Sequence, residues 1–153
     1  MNTYKIWKTL EHKPAGKWLF STMLALKAPY FLSIKPRYQI LEPNRCELTL
    51  KKRWKVTNHL NTVHAIAMCN MAEAAGGLMT EAAVPFKSHR WIPKGMTVKY
   101  LKKAKTDLKA IATPLKAMDL VESSAYPVNV DVFDTNGERV FNAIIEMWVS
   151  PKS

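Results

Sequence analysis

Between Ala65 and Thr80 the chain carries a single charged side chain, the carboxylate of Glu73. Its neighbours are alanine, methionine and glycine, and an ionised carboxylate is costly to bury among them. It must be paired, protonated or wetted by a cleft. A structural ion pair with one of the many lysines would meet that need, and so would a general base facing a substrate. Just upstream, Asn58-His59-Leu60-Asn61-Thr62-Val63-His64-Ala65 is a polar run leading into a helix start. The first N–H groups of a helix lack intrahelical acceptors and point outward with the positive end of the dipole. The Ala65 N–H is therefore either part of an ordinary capped start or a donor to a developing oxyanion. Ala65 and Glu73 are eight residues apart, about 12 Å along one helix at about 1.5 Å per residue. A carboxylate cannot serve its own helix start at that distance. A shared site needs two such helices side by side and antiparallel, most simply from a twofold dimer.

Other reactive side chains are weaker candidates. Cys69 lies four residues before Glu73 on the same helical face, where a buried apolar thiol is expected rather than a nucleophile. His12, His59, His64 and His89 show no zinc-type spacing with cysteine or aspartate, so no metal is expected. Cys46 and Cys69 make no disulfide scaffold, and a reducing, cytoplasmic setting is the simplest reading. The chain has 23 Lys plus Arg against 12 Asp plus Glu, a net charge of +11, which points to an anionic neighbour. Two groups of cations stand out: Lys51, Arg53 and Lys55 on one strand, and Arg90, Lys94, Lys102 and Lys103 flanking another. Each is a solvated face or a phosphate-binding rim. Trp54 and Tyr100 interleave with lysines but sit at the apolar parity of their strands, which favours core.

Periodicity supplies the elements that would hold these groups. Trp18, Phe20, Met23 and Leu24 fall at helical spacing within an apolar stretch too short to span a bilayer. With Lys5, Lys8 and Lys13 ahead of it the stretch faintly resembles a signal peptide, but it lacks a clean cleavage site. An amphipathic helix packed on the domain and ended by Pro29 is expected. Alternation from Cys46 to Val56 predicts a strand with one buried face. A helix capped by Thr62 follows over residues 62–82, apolar on every side and hence buried. Gly76 and Gly77 in it allow close backbone approach or begin its end. Strands are expected at Met96–Leu101, about Leu108–Thr113, and in a C-terminal hairpin turned by Asp134-Thr135-Asn136-Gly137. Residues 114–124 stay open between a short helix and a connection. The order implies an α+β fold, a largely antiparallel sheet around one apolar helix, in a single domain over 1–153. A helical extension would occupy residues 1–30, and the core residues 33–150.

The run Asn58 to Ala65, followed by Met71-Ala72-Glu73-Ala74-Ala75-Gly76-Gly77, resembles the central-helix region of hotdog-fold thioesterases. The phenylacetyl-CoA thioesterase-like branch is the most similar. Lys94-Gly95-Met96-Thr97-Val98-Lys99-Tyr100-Leu101-Lys102-Lys103-Ala104 is similar to that branch's next strand. The resemblance spans about residues 30–150. It implies a hotdog fold and a homodimer or tetramer whose subunits share active sites. It also implies hydrolysis of an acyl-CoA, with coenzyme A as part of the substrate and no other cofactor. On this resemblance Glu73 is the general base or nucleophile, and the Ala65 N–H polarises the thioester carbonyl. Asn58 orients the attacking water or substrate, His64 precedes the oxyanion position, and Arg90, Lys94, Lys102 and Lys103 are candidates for the coenzyme A phosphates.

The chain departs from the pattern in four places. Asn61 stands where glycine is common, and Ala65-Ile66 where Gly-Gly is common. Glu73 stands where many relatives have aspartate, and Trp91 falls near the position of a serine or threonine. The alternative function is a non-catalytic acyl-CoA or fatty-acyl binder, motivated by the two missing glycines. A third class, a basic nucleic-acid or membrane-surface protein, rests on charge alone. Nucleic acid is not expected, and a membrane surface stays open without being the expected partner. No paired Asp/His signature of a hydratase is present. Met68, Met71 and Met79 would suit acyl chains of several shapes.

Overall fold

The computed structural model describes residues 2–153. Helix α1 (Thr3–Leu10) begins at Asn2, whose Oδ1 accepts the Lys5 N–H at 3.0 Å. Helix α2 (Gly16–Lys27) follows a tight turn in which a Cβ on Gly16 would lie 1.8 Å from the Leu10 carbonyl oxygen. Only glycine fits there. A 3-10 turn, Pro29–Ser33, leads into the sheet. The N-terminal segment thus forms two helices and a turn rather than the one helix expected. An aromatic chain fastens it down: Trp7 meets Phe20 edge-on at 5.0 Å, and Phe20 meets Tyr38 at 5.8 Å. Ser21 Oγ also accepts the Tyr38 N–H at 3.0 Å.

Strands β1 (Arg37–Glu42), β2 (Arg45–Leu50), β3 (His89–Tyr100), β4 (Leu108–Pro114), β5 (Ser124–Phe133) and β6 (Arg139–Pro151) form one antiparallel sheet in the order β1-β2-β4-β5-β6-β3. The sheet wraps helix α3 (Ala65–Ala83), so the α+β hotdog arrangement is present. Leu48, Ala110, Val130, Ala143 and Ile145 face the helix and are buried. The small residues of β4 and β6 let it approach closely. A Cβ on Gly76 would lie 2.9 Å from Ile145 Cδ1, so this glycine permits close packing inside a helix that continues to Ala83. The Asp134–Gly137 turn joins β5 to β6, with Gly137 at φ +79°.

Several expectations are corrected. Strand β2 ends at Leu50, and a 3-10 turn at Trp54–Val56 replaces its predicted continuation. Trp54 is consequently 86% exposed and Tyr100 51% exposed, so neither belongs to the core. Lys51, Arg53 and Lys55 lie beyond the strand and share no strand face. Strand β3 starts before Pro93 because it is an edge strand, where proline's missing N–H costs no ladder bond, and a bulge between Pro93 and Gly95 accommodates it. Residues 115–123 form a connection. The outward face of α2 is apolar rather than polar, with Trp18, Leu19 and Leu26 exposed.

On the outer side of β2, burial pushes the Glu47 carboxyl up. Arg45 and Lys109 (3.0 Å) outweigh that effect and hold it below the ordinary glutamate value.

Candidate active site

Helix α3 buries most of its surface, but Ile66, Cys69 and Glu73 recur every three to four residues on its one uncovered stripe. Glu73 is exposed, and among the described residues no cation lies within ion-pair distance of it. It is neither buried nor ion-paired, and it faces an open cleft. The carboxylate lines a cavity of ≈ 270 Å³ walled by Leu24, Phe31, Tyr38, Leu78 and Trp91. The N-terminal helices therefore help enclose the acid.

A second carboxylate, Glu81, lines the same cavity two turns further on. Its Oε2 accepts the Trp91 indole N–H at 2.7 Å, and its Oε1 accepts the Thr3 hydroxyl at 3.5 Å. The indole lies against Gly77, where a Cβ would come within 3.2 Å of Trp91 Cη2. Trp91 is thus positioned over α3 between the two acids. Reading the charges only as far as Thr80 misses Glu81, whereas the spacing 73, 77, 81 with glycine in the middle is the signal that finds it. Tyr38, fully buried, donates to the Ala74 carbonyl at 3.4 Å, and burial pushes its hydroxyl well up.

The start of α3 is built by its preceding loop. His64, not Thr62, is the N-cap: its Nδ1 accepts the Ile66 N–H at 3.0 Å. Asn58 closes the loop, with Oδ1 accepting the Leu60 and Thr62 N–H groups at 3.0 and 3.2 Å and Nδ2 donating to Thr62 Oγ1 at 3.0 Å. Oδ1 and one Nδ2 hydrogen thus organise the loop, and the second Nδ2 hydrogen has no acceptor among the described residues. Asn61 has φ +54°, the left-handed region that asparagine tolerates and glycine adopts freely, so asparagine can hold the position where the resemblance expects glycine. The Ala65 N–H has no acceptor among the described residues. Beside this helix start is a hollow of ≈ 170 Å³ lined by Tyr30, Lys55, His64, Ile66 and Asn70. Neither Ala65 nor Glu73 lines it, and Ala65 does not line the Glu73 cavity, so one chain does not unite Ala65 with the acid.

Nor does it unite the cations. Arg90 Nε donates to Ser150 Oγ at 3.3 Å, and Lys94 Nζ lies 3.8 Å from the centre of the Trp148 ring. Ser150, the register partner of Arg90, and Trp148, on which Lys94 stacks, alternate with the buried Val149 and Met147, so Arg90 and Lys94 are on the outer face of the sheet. Lys102 pairs with Glu138 at 2.8 Å, and Lys103 is exposed. Arg90 and Lys102 are twelve residues apart, roughly 40 Å along an extended strand. Cys69 is half-buried, with Sγ 3.3 Å from the Tyr100 hydroxyl; that contact, with burial, raises the Tyr100 pKa. Burial pushes the Cys46 thiol up.

No group of three or more His, Cys, Asp or Glu side chains is placed to hold a metal among the described residues, and no helix there is long and apolar enough to cross a membrane. Residues 16–149 match the profile of a domain of unknown function, DUF4442. The chain belongs to the DUF4442 family. A structural-genomics crystal structure is 41% identical to this DUF4442 chain, covers 99% of it and 100% of its own length, and superposes with a TM-score of 0.84. A Pseudomonas aeruginosa protein of unknown function, described as a probable thioesterase, is 20% identical over 92% of this chain and 99% of its own, with a TM-score of 0.77. A mutant thioesterase from Pseudomonas aeruginosa is 12% identical over 85% and 91%, with a TM-score of 0.75. The last two likenesses establish the hotdog fold of this DUF4442 member. No curated protein matches the sequence.

Proposed function

We propose that this DUF4442 protein hydrolyses acyl-CoA thioesters as a dimer, in the manner of the phenylacetyl-CoA thioesterase-like branch that its helix region resembles. The observation that carries the reading is the unpaired Glu73 carboxylate in an open cavity, on the same helix as an N–H, that of Ala65, with no acceptor. In the proposed step Glu73 takes a proton from water, and the water oxygen attacks the thioester carbonyl. The Ala65 N–H of the other protomer stabilises the oxyanion, and the C–S bond then breaks, the departing sulfur taking the proton held by Glu73 so that the acyl group leaves as carboxylic acid and coenzyme A as thiol. Two α3 helices lying antiparallel bring the acid of each to the start of the other.

The outer edge of β3 supports a dimer. It is a twelve-residue strand hydrogen-bonded on one side only, and such edges are normally covered. Antiparallel pairing of two β3 strands centred near Met96 would set Arg90 of one protomer opposite Lys102 of the other. That would gather the cations a single chain keeps apart into a site for coenzyme A phosphates. Fatty and aromatic acyl-CoA substrates, run in parallel with Glu73→Gln, test the reading. Turnover by the native protein that falls by about 10²–10⁴-fold in the variant is expected. Turnover unchanged by the substitution refutes the assignment. Acyl-CoA binding without hydrolysis, unaffected by Glu73→Gln, would instead establish the non-catalytic binder.

A further inference from the structure

We propose that the outward face of α2, with the turn that follows it, docks the protein onto an anionic lipid surface. At about 100° per residue, Trp18, Leu19, Thr22, Met23 and Leu26 fall within an arc of about 140° on the side of α2 opposite the buried Phe20, Ser21 and Ala25. Trp18, Leu19 and Leu26 are 53%, 49% and 66% exposed, and Tyr30 beyond the helix is 70% exposed. A solvent-facing helix side normally carries charge. This one has none; Lys27 stands about 40° beyond one edge, and Lys17, on the opposite side at the helix start, donates to the Gln39 carbonyl at 2.9 Å.

Charge identifies the occupant. From His12 to Leu41 there is no aspartate or glutamate, while Lys13, Lys17, Lys27, Lys35 and Arg37 supply five cations. The Arg37 guanidinium lies 5.8 Å from the Trp18 ring. Beyond it opens a groove of ≈ 730 Å³ where Lys35, Arg37, Lys51, Arg53 and Lys109 outnumber Asp107 and Asp134, and none of the first four cations has a carboxylate within ion-pair distance among the described residues. Apolar and aromatic side chains bordered by lysines and arginines are what an interfacial helix needs on anionic headgroups. A second copy placed on this face by a twofold axis would set cations against cations, which disfavours self-association there. The same segment contributes Leu24, Lys27, Ala28 and Phe31 to the Glu73 cavity, so docking would bring that cavity to the lipid surface whatever its chemistry.

Co-sedimentation of the full chain with vesicles of phosphatidylcholine alone, or with about one-third phosphatidylglycerol, tests the proposal. Binding to the anionic vesicles at low ionic strength, release by salt and little binding to neutral vesicles are expected. Leu19→Ser with Leu26→Ser is expected to reduce the bound fraction about tenfold or more, and Lys27→Gln with Lys35→Gln to weaken binding to anionic vesicles selectively. These positions are exposed, so circular dichroism and thermal unfolding should stay native-like. Absence of binding to anionic vesicles, binding indifferent to lipid charge, or native binding by the Leu19→Ser/Leu26→Ser variant would overturn it. So would a lower solution mass caused by those serine substitutions, which would show that a second copy covers the face.

Discussion

Replacing Ala65 by proline removes the N–H assigned to the oxyanion while leaving the helix start nearly undisturbed. Ala65 is the first residue of α3, and its N–H makes no hydrogen bond that proline would break. Proline is favoured at this position, and His64 at φ −62° and ψ 140° already has the extended geometry that a residue before proline requires. Stability should hold or rise by about 0.4–1 kcal/mol. Turnover should fall by about 10²–10³-fold, the usual cost of one oxyanion donor. Mixing Ala65→Pro with Glu73→Gln then asks whether sites are shared. A heterodimer holds one site with a native acid and a native N–H, and one site with neither. Random exchange makes about half the dimers mixed, so about one quarter of native turnover should return, against almost none in either variant alone. The assay is steady-state hydrolysis of a verified acyl-CoA after subunit exchange, with thermal unfolding run alongside. Full activity of Ala65→Pro, or no recovery on mixing despite proven exchange, refutes the shared oxyanion site.

Other perturbations probe the scaffold. Gly76→Ala gains helix propensity but presses a methyl to within 2.9 Å of Ile145 Cδ1 and 3.4 Å of Val128 Cγ1; a net loss of about 1–3 kcal/mol in urea unfolding is expected, and a gain would show that the helix does not pack so closely. Lys8, and then the Tyr4 hydroxyl at 2.6 Å, holds the Glu42 carboxyl below its ordinary value of 4.5. A lowered folded-state pKa contributes stability that is present above pH 4.5 and lost as pH falls through the folded value, so the melting-temperature advantage over Glu42→Gln should shrink on acidification and disappear well below pH 4.5. An advantage that grows with acid would contradict the assignment. A thiol reagent should modify Cys69, which is half-buried, in the native protein and reach Cys46 only after denaturation, because Cys46 is fully buried and its thiol pKa is raised. Rapid native labelling of both would refute that burial.

Local patterning made much of the architecture legible before any coordinate. Period two located β4 and the β5–β6 hairpin, and an uncharged run around one acid located α3, because burial imposes those patterns on the residues themselves. Glu73 stood out for the same reason: a lone carboxylate on an apolar helix needs an environment that spacing alone can flag. Tertiary packing decided what that environment is. Trp54 shares the apolar parity of its neighbours, yet the chain turns at Trp54–Val56 and leaves it in solvent. Glu81, Trp91 and Thr3 come from elements far apart in the chain, so no local window could place them beside Glu73. Arg90, Lys94 and Lys102, adjacent in pattern, are separated by the length and alternation of an extended strand. Residue pattern alone sufficed for the central helix, its acid and the spacing between that acid and the helix start. That the acid faces an open cavity emerged from packing, because solvent access to a side chain depends on which distant elements cover it.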